Sequence, residues 1–286
     1  MAVEVKGIPA HSRGMPSASI TVPAALTIAG SDCSSGAGLQ ADLKTFTAHG
    51  VYGLTAVTCI VAEIPGKVTR IQAVDTDILA EQLHLLLGAF PVAAVKTGML
   101  YSRDIIEAVA AAFGQLKQKP ALVIDPVMVA TSGDPLLQRD AVQAYERVLF
   151  PAATVITPNM DEAAVLLGKK ITRAEHLHSA AEVLRARYGC AVLLKGGHLR
   201  GREAVDILRD DRGFMELRAP FVPGVSTHGT GCTFSAAIAA GLAWGKPLRE
   251  AVRRGKRYVT RTIAQSFRWG RGDGRIEALN HFRHAR

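Results

Sequence analysis

Short apolar runs alternate along this chain with longer stretches of helical periodicity. The runs at 24–29, 54–61, 93–97, 121–124, 153–157, 191–195, 204–209 and 213–218 are predicted strands. The stretches at 37–49, 76–89, 102–113, 138–149, 160–167, 173–188, 231–243 and 247–266 are predicted helices. Many strand runs are apolar throughout, as in Ala121-Leu122-Val123-Ile124, which suits strands covered on both faces. Strand–helix alternation then implies a mainly parallel sheet with right-handed crossovers, and one three-layer α/β domain. That domain is expected over 23–286. Residues 1–22 have no apolar block and read as a loose N-terminal extension rather than a signal peptide.

Composition narrows the class. Of 286 residues, 48% are hydrophobic and 21% charged, which is ordinary for a soluble globular chain. The apolar runs are far too short to span a bilayer, so no membrane partner is expected. Cys33, Cys59, Cys190 and Cys232 lie far apart with no CxxC pair. That argues against a zinc site or a disulfide framework and makes a reducing cytoplasm the expected compartment. The formal charge of +9 suits nucleic acid or a phosphate-rich small ligand equally. Much of it comes from arginines and lysines between Arg249 and Arg286, with Tyr258, Phe267 and Trp269 among them. These aromatics fit no nucleic-acid motif. The segment reads as a solvated basic helix face with its aromatics in the core, and no nucleic-acid partner is expected.

Chemistry concentrates at predicted strand ends. The sharpest segment is Ser226-Thr227-His228-Gly229-Thr230-Gly231-Cys232, which runs straight into the apolar helix predicted at 231–243. Such a turn aims unpaired N–H groups outward at the positive end of a helix, a natural anion site. Cys232 stands at the same point, where the helix field favours a thiolate. Ala29-Gly30-Ser31-Asp32, Lys96-Thr97-Gly98-Met99, Asp125-Pro126-Val127-Met128, Thr157-Pro158-Asn159-Met160-Asp161-Glu162 and Lys195-Gly196-Gly197-His198 follow five strands. Ligands of open parallel sheets gather at those ends, so a shared cleft is expected. The parts suit phosphoryl transfer. Asp125 and Glu162 could hold Mg²⁺ through water with Asn159 beside them, Lys195 could neutralise phosphate charge, and the turn could hold the transferring group. Each also has a plain explanation. Asp125 before Pro126 ends a strand, Asn159 and Glu162 cap a helix, and Lys195 is a surface lysine. No Walker A pattern occurs.

These segments resemble the hydroxymethylpyrimidine/phosphomethylpyrimidine kinases of the ribokinase-like superfamily. The most specific stretches are Ala25–Asp32, Gly36–Phe46, Lys96–Leu100, Ser132–Leu137, Lys195–His198 and Thr227–Cys232, and the resemblance runs from about Ala25 to Arg283. It implies a ribokinase-like three-layer α/β/α sandwich and often a homodimer. It also implies an ATP-dependent kinase of a hydroxymethyl aminopyrimidine and of its monophosphate. By the same resemblance Asn159 and Glu162 form a Mg²⁺/phosphate motif, and Asp206 and Thr227 flank the nucleotide. Gly229, Gly231 and Cys232 carry catalysis with Lys195, and Cys232 accepts the substrate proton where most of the superfamily has Asp. Ala37, Asp42, Val61, Glu63 and Met99 would surround the pyrimidine.

Two features depart from the resembling kinases. Glu63 stands where they usually carry Gln, and Cys33-Ser34-Ser35 replaces a more glycine-rich loop. An ionised carboxylate accepts hydrogen bonds but cannot donate to a ring nitrogen. A pyridoxine/pyridoxal kinase is therefore the nearest rival, and a non-catalytic nucleotide-binding protein is a more distant one.

Overall fold

The structure is a computed structural model. It describes residues 21–128, 137, 140–171, 173, 175–197, 203–223, 225, 228–270 and 275–282. Most of the expected N-terminal extension, Ser132–Leu136, His198 and Thr227 lie outside the described residues. In chain order the elements begin with β1 (Ala24–Asp32), α1 (Gly38–Ala48), β2 (Tyr52–Ile64), β3 (Lys67–Ala73), α2 (Thr76–Ala89), β4 (Val92–Thr97) and α3 (Arg103–Gly114). Next come β5 (Ala121–Ile124), α4 (Ala141–Ala144), β6 (Val155–Ile156), α5 (Met160–Leu167), α6 (Glu175–Tyr188) and β7 (Ala191–Lys195). The last are β8 (Glu203–Asp210), β9 (Gly213–Pro220), α7 (Thr230–Ala243), α8 (Leu248–Ala264), β10 (Phe267–Trp269) and β11 (Ile276–Ala278).

One sheet holds β1 to β9 in the order β3-β2-β1-β4-β5-β6-β7-β8-β9. The six strands from β2 to β7 are mutually parallel, and β3, β8 and β9 join antiparallel at the two edges. Alternation along β1 shows why the sheet is covered twice. Leu26 and Ile28 pack with Leu79, Ile105, Ile106 and Leu184 on the face of α2, α3, α5 and α6. Ala25 points the other way, to the layer of Phe46, Phe234, Ile238 and Val252 from α1, α7 and α8. This is the expected three-layer α/β sandwich. Among the described residues no helix is long and apolar enough to cross a membrane.

Three strands escaped the sequence pattern. β3 is an edge strand with most of its residues exposed, so it has no apolar run to mark it. β10 and β11 are three-residue strands paired only with each other. The basic C-terminal segment is only partly as expected. Tyr258 is buried, whereas Trp269 is 55% exposed and Phe267 is partly exposed, because β10 lies outside the main sheet.

A buried ion pair joins the layers beneath the sheet's carboxyl edge. Lys96 of β4 donates to Asp42 Oδ2 of α1 at 2.7 Å, and Thr27 Oγ1 of β1 donates to the same oxygen at 2.6 Å. Both charged side chains are fully buried, and Asp42 Oδ1 has no hydrogen-bond partner. Burial opposes the Lys96 charge, but Asp42 beside it holds the ammonium above its ordinary pKa. Burial also pushes Asp42 upward against Lys96. Asp42→Ala strands a buried cation, so it should cost about 3–5 kcal/mol. Joint replacement with Asp42→Leu and Lys96→Met should recover much of that. Urea unfolding midpoints of the three proteins check both statements.

Candidate active site

A cavity of about 470 Å³ runs along the carboxyl ends of the parallel strands. At its centre is the start of α7. Gly229 caps the helix at φ 79°, and a Cβ there would collide with the Gly36 carbonyl. Only glycine combines that left-handed φ with so close an approach. The first helical bond is Thr233 N–H to the Gly229 carbonyl at 2.9 Å. The N–H groups of Thr230, Gly231 and Cys232 precede it, and all three residues line the cavity. A Cβ on Gly231 would lie 3.1 Å from Lys195 Nζ and 3.4 Å from Asp125 Oδ2. The missing side chain thus lets a cation and a carboxylate stand against the helix start.

Asp125 is the hub. Its Oδ1 accepts from Lys195 Nζ at 2.7 Å and from Thr157 Oγ1 at 3.1 Å, and its Oδ2 accepts from Ser235 Oγ at 3.2 Å. Burial works against its charge, but Lys195 and Lys96 outweigh burial and keep it below the ordinary carboxylate range. Glu162 and Asn159 form a reciprocal capping box at the start of α5. Asn159 N–H donates to Glu162 Oε2 at 2.7 Å, and Glu162 N–H donates to Asn159 Oδ1 at 2.9 Å. The plain capping role and a place on the cavity wall therefore coincide in the same two residues. Burial pushes the Glu162 carboxyl up to about 7, with Asp125 adding to the rise and Lys195 opposing it.

At one end the cavity is apolar, lined by Ala219, Phe221, Val222, Val259 and Ile263. Asp206 sits beside that end as an anchor. It accepts from Gly196 N–H at 3.0 Å and from Lys256 Nζ at 2.7 Å. At the other end Ala37, Val61, Glu63 and Met99 line the wall. Asp42 does not line it. It lies behind the wall in its pair with Lys96, so its expected contact with substrate gives way to a supporting position.

Cys232 also departs from expectation. It lines the cavity as the third residue of α7, but its thiol is pushed up to about 11 rather than down. Burial is the main cause. Asp42 and Asp125 add to it, against the opposing pull of Lys96 and a backbone bond from Gly38. Sequence reasoning quoted Asp32, Lys96 and His228 inside motifs but gave them no role, and it missed Lys256. Asp32, His228 and Lys256 line the cavity. Lys256 had no signal, being one of many basic residues on α8, whereas His228 adjoins the glycine turn.

The phosphomethylpyrimidine kinase family matches residues 32–277 of the chain. A hydroxymethylpyrimidine/phosphomethylpyrimidine kinase of Rhizobium meliloti is 45% identical over 259 residues, 90% of this chain and 96% of that protein. The thiamine biosynthesis bifunctional protein ThiED of Geobacter sulfurreducens is 44% identical over 254 residues. That match covers 89% of this chain and 52% of ThiED, so the chain spans about half of that relative. Among solved structures, Bacillus subtilis pyridoxal kinase in an ADP complex is similar with a TM-score of 0.81 and 39% identity, covering 91% of this chain and 98% of that one. With a cavity built around a helix start, a lysine and two carboxylates, and a family match over nearly the whole domain, the chain belongs to the phosphomethylpyrimidine kinase family.

Proposed function

We propose that this protein is an ATP-dependent kinase of 4-amino-5-hydroxymethyl-2-methylpyrimidine and of its monophosphate, acting in thiamine diphosphate biosynthesis. The observation that carries the reading is the position of the α7 start. It lines one cavity together with the apolar Phe221, Val222, Val259 and Ile263 and with Ala37, Val61, Glu63 and Met99, and Lys195 and Asp125 stand against Gly231. The relatives named above supply the substrate class. Pyridoxal kinase is the second reading, favoured by the fold match to that enzyme.

In this reading the adenine enters between Phe221, Val222, Val259 and Ile263, and Asp206 holds the Gly196 turn and Lys256 beside it. Lys195 meets the phosphates. The substrate hydroxyl oxygen attacks the terminal phosphorus, the bond from phosphorus to the ADP oxygen breaks, and the hydroxyl proton passes to an oxygen of the transferred phosphoryl group and from there to solvent. Charge on the transferring group falls on the N–H groups of Thr230, Gly231 and Cys232. Such preorganised donors need no reorganisation as the charge develops. Burial pushes the Cys232 thiol up, away from the thiolate that a resting base would need.

Asp125 and Glu162 fit Mg²⁺ through its water shell. Their oxygens are hard donors, but each already accepts protein hydrogen bonds, and Mg²⁺ commonly keeps several waters. Held there, the ion would offset phosphate charge. The proposal includes a homodimer, to which Tyr52, Ile60 and Ile64 offer exposed apolar surface on β2. Sedimentation velocity tests that part.

Incubation with ATP and Mg²⁺ should convert the pyrimidine and its monophosphate to products heavier by one phosphate each. kcat/KM should exceed that for pyridoxine and pyridoxal. Turnover of the pyridine substrates alone would transfer the reading to pyridoxal kinase. Mg-ATP at about 100 times its Kd should stabilise the fold by about 2.7 kcal/mol, visible as a rise in Tm. No rise with folded protein would remove the nucleotide site. Gly231→Ala adds a methyl against Lys195 and Asp125, and should lower kcat by about 10²-fold or more with Tm nearly unchanged. Alkylation by iodoacetamide at neutral pH should modify exposed Cys33 well before Cys232, and the Cys232 rate should climb as pH approaches 11. Rapid labelling of Cys232 at neutral pH would restore the thiolate.

A further inference from the structure

Behind the cavity, the end of the chain closes on the helix that carries the anion turn. α8 ends at Ala264, and the hairpin of β10 and β11 brings the chain back beside α7. There Leu279 and His281 are buried. Asn280 N–H donates to the Thr262 carbonyl at 3.2 Å, and Tyr258 Oη donates to the His281 carbonyl at 3.1 Å. These bonds fix the backbone around His281 to α8. Tyr258 is held in turn, edge to face with His49 at 4.5 Å between ring centroids and with the Arg261 guanidinium 5.1 Å from its ring. His281 is not among the residues that line the cavity.

The His281 side chain reaches α7. Its Nε2 lies 2.9 Å from Thr233 Oγ1, and both residues are buried. Burial pushes the imidazole down to about 4 and Lys44 of α1 adds to the fall, so the ring is neutral at neutral pH. A neutral imidazole has one N–H and one lone pair. The backbone bond at Leu279 opposes the fall, and a bond that favours the charged ring is one the ring donates. Nε2 therefore keeps the lone pair, and Thr233 Oγ1 donates to it. Threonine hydroxyls inside helices often turn back on the carbonyl four residues earlier. Thr45 in α1 and Thr260 in α8 do so, bonding the Ala41 and Lys256 carbonyls. For Thr233 that carbonyl belongs to Gly229, the cap of the anion turn, which accepts Thr233 N–H at 2.9 Å. His281 takes the Thr233 hydroxyl instead, and the Gly229 carbonyl keeps its helical bond.

We propose that His281 is a positioning residue for the anion turn, holding the first turn of α7 in place for phosphoryl transfer through Thr233. The inference rests on the kinase reading above. The N–H groups of Thr230, Gly231 and Cys232 sit between Gly229 and Thr233, so a brace on Thr233 fixes where they aim. Without His281 the Thr233 hydroxyl is free to swing onto the Gly229 carbonyl, and such back-bonding bends a helix. The bend falls at the three donors. Donors that act on charge developing in the transition state lower kcat when misplaced and leave KM nearly unchanged.

The test compares wild type with His281→Ala, Thr233→Val, Thr233→Ser and the double variant His281→Ala/Thr233→Val, with Leu279→Ala as a packing control. Steady-state kinetics with ATP, Mg²⁺ and the hydroxymethyl aminopyrimidine are run beside Tm and amide hydrogen exchange at residue 233. His281→Ala and Thr233→Val should each lower kcat by about tenfold, with both KM values within about twofold. The double variant should fall no further than His281→Ala, because the two side chains act as one unit. Thr233→Ser keeps the hydroxyl and should keep kcat. Protection of the residue 233 amide should drop by about tenfold in the two impaired single variants. Leu279→Ala should lower Tm at least as much, with kcat and that protection near wild type. Losses that multiply in the double variant overturn the proposal, as does a kcat that falls in Leu279→Ala in step with Tm, since either makes the segment a structural strap alone. Unchanged kcat and protection in His281→Ala and Thr233→Val overturn it too. Should wild type leave the pyrimidine unphosphorylated, the kinase reading falls and exchange at residue 233 decides the brace by itself. Lost protection in His281→Ala then supports the brace, and unchanged protection overturns it.

Discussion

The site depends on the pairing of Asp125 with Lys195 against the start of α7. One carboxylate receives bonds from β7, from Thr157 after β6 and from Ser235 in α7. It therefore ties the ends of three neighbouring strands to the helix whose N–H groups face the cavity. Removing either charge would leave the other buried without its partner, which costs more than the pair contributes. The interaction fixes geometry more than it adds stability. It holds an ammonium group against Gly231 at the start of α7, and it aims a carboxylate oxygen at the same space.

The buried charges beneath the cavity divide into two kinds. Lys96–Asp42 and Lys256–Asp206 are closed pairs that position backbone, one beneath β4 and one at the Gly196 turn. Asp125, Glu162 and Lys195 form an open set, with a carboxyl raised to about 7 beside one held low. That contrast arises where two carboxylates compete for one ammonium in a dry environment. A positively charged ligand or an ion neutralised by phosphate relieves it. Asp42 is held behind the wall by Lys96 and Thr27, whereas Asp206 and Lys256 reach the cavity lining.

The sequence carried the sheet and the anion turn for identifiable physical reasons. Strands buried on both faces show continuous apolar runs, and β5 and β7 match their predicted limits residue for residue. The turn at Gly229 was legible because two glycines before an apolar helix have few other uses. β3 was not legible, since an exposed edge strand has no burial pattern to print on the sequence. The state of Cys232 was not legible either. Local position favours a thiolate, but burial pushes the thiol up, and only the fold supplies that burial. Asp32, Glu63 and His228 sat in three separate segments, so their cluster emerged only when β1, β2 and the turn met.

That meeting also joins the two halves of the site. A Cβ on Gly36 would come within 2.7 Å of His228 Cδ2, and the Gly36 carbonyl closes on Gly229. The loop after β1 is therefore packed directly on the anion turn. Asp32 holds that loop through Gly36 and Ala37 N–H and holds the turn through His228. Glu63 stands beside the same imidazole and carboxylate, which brace the turn before α7. The loop after β1 and the turn before α7 are thus linked through two hydrogen-bonded residues, Asp32 and His228. Backbone N–H groups that are to stabilise developing charge have to be in place beforehand, and a short link of this kind holds them there.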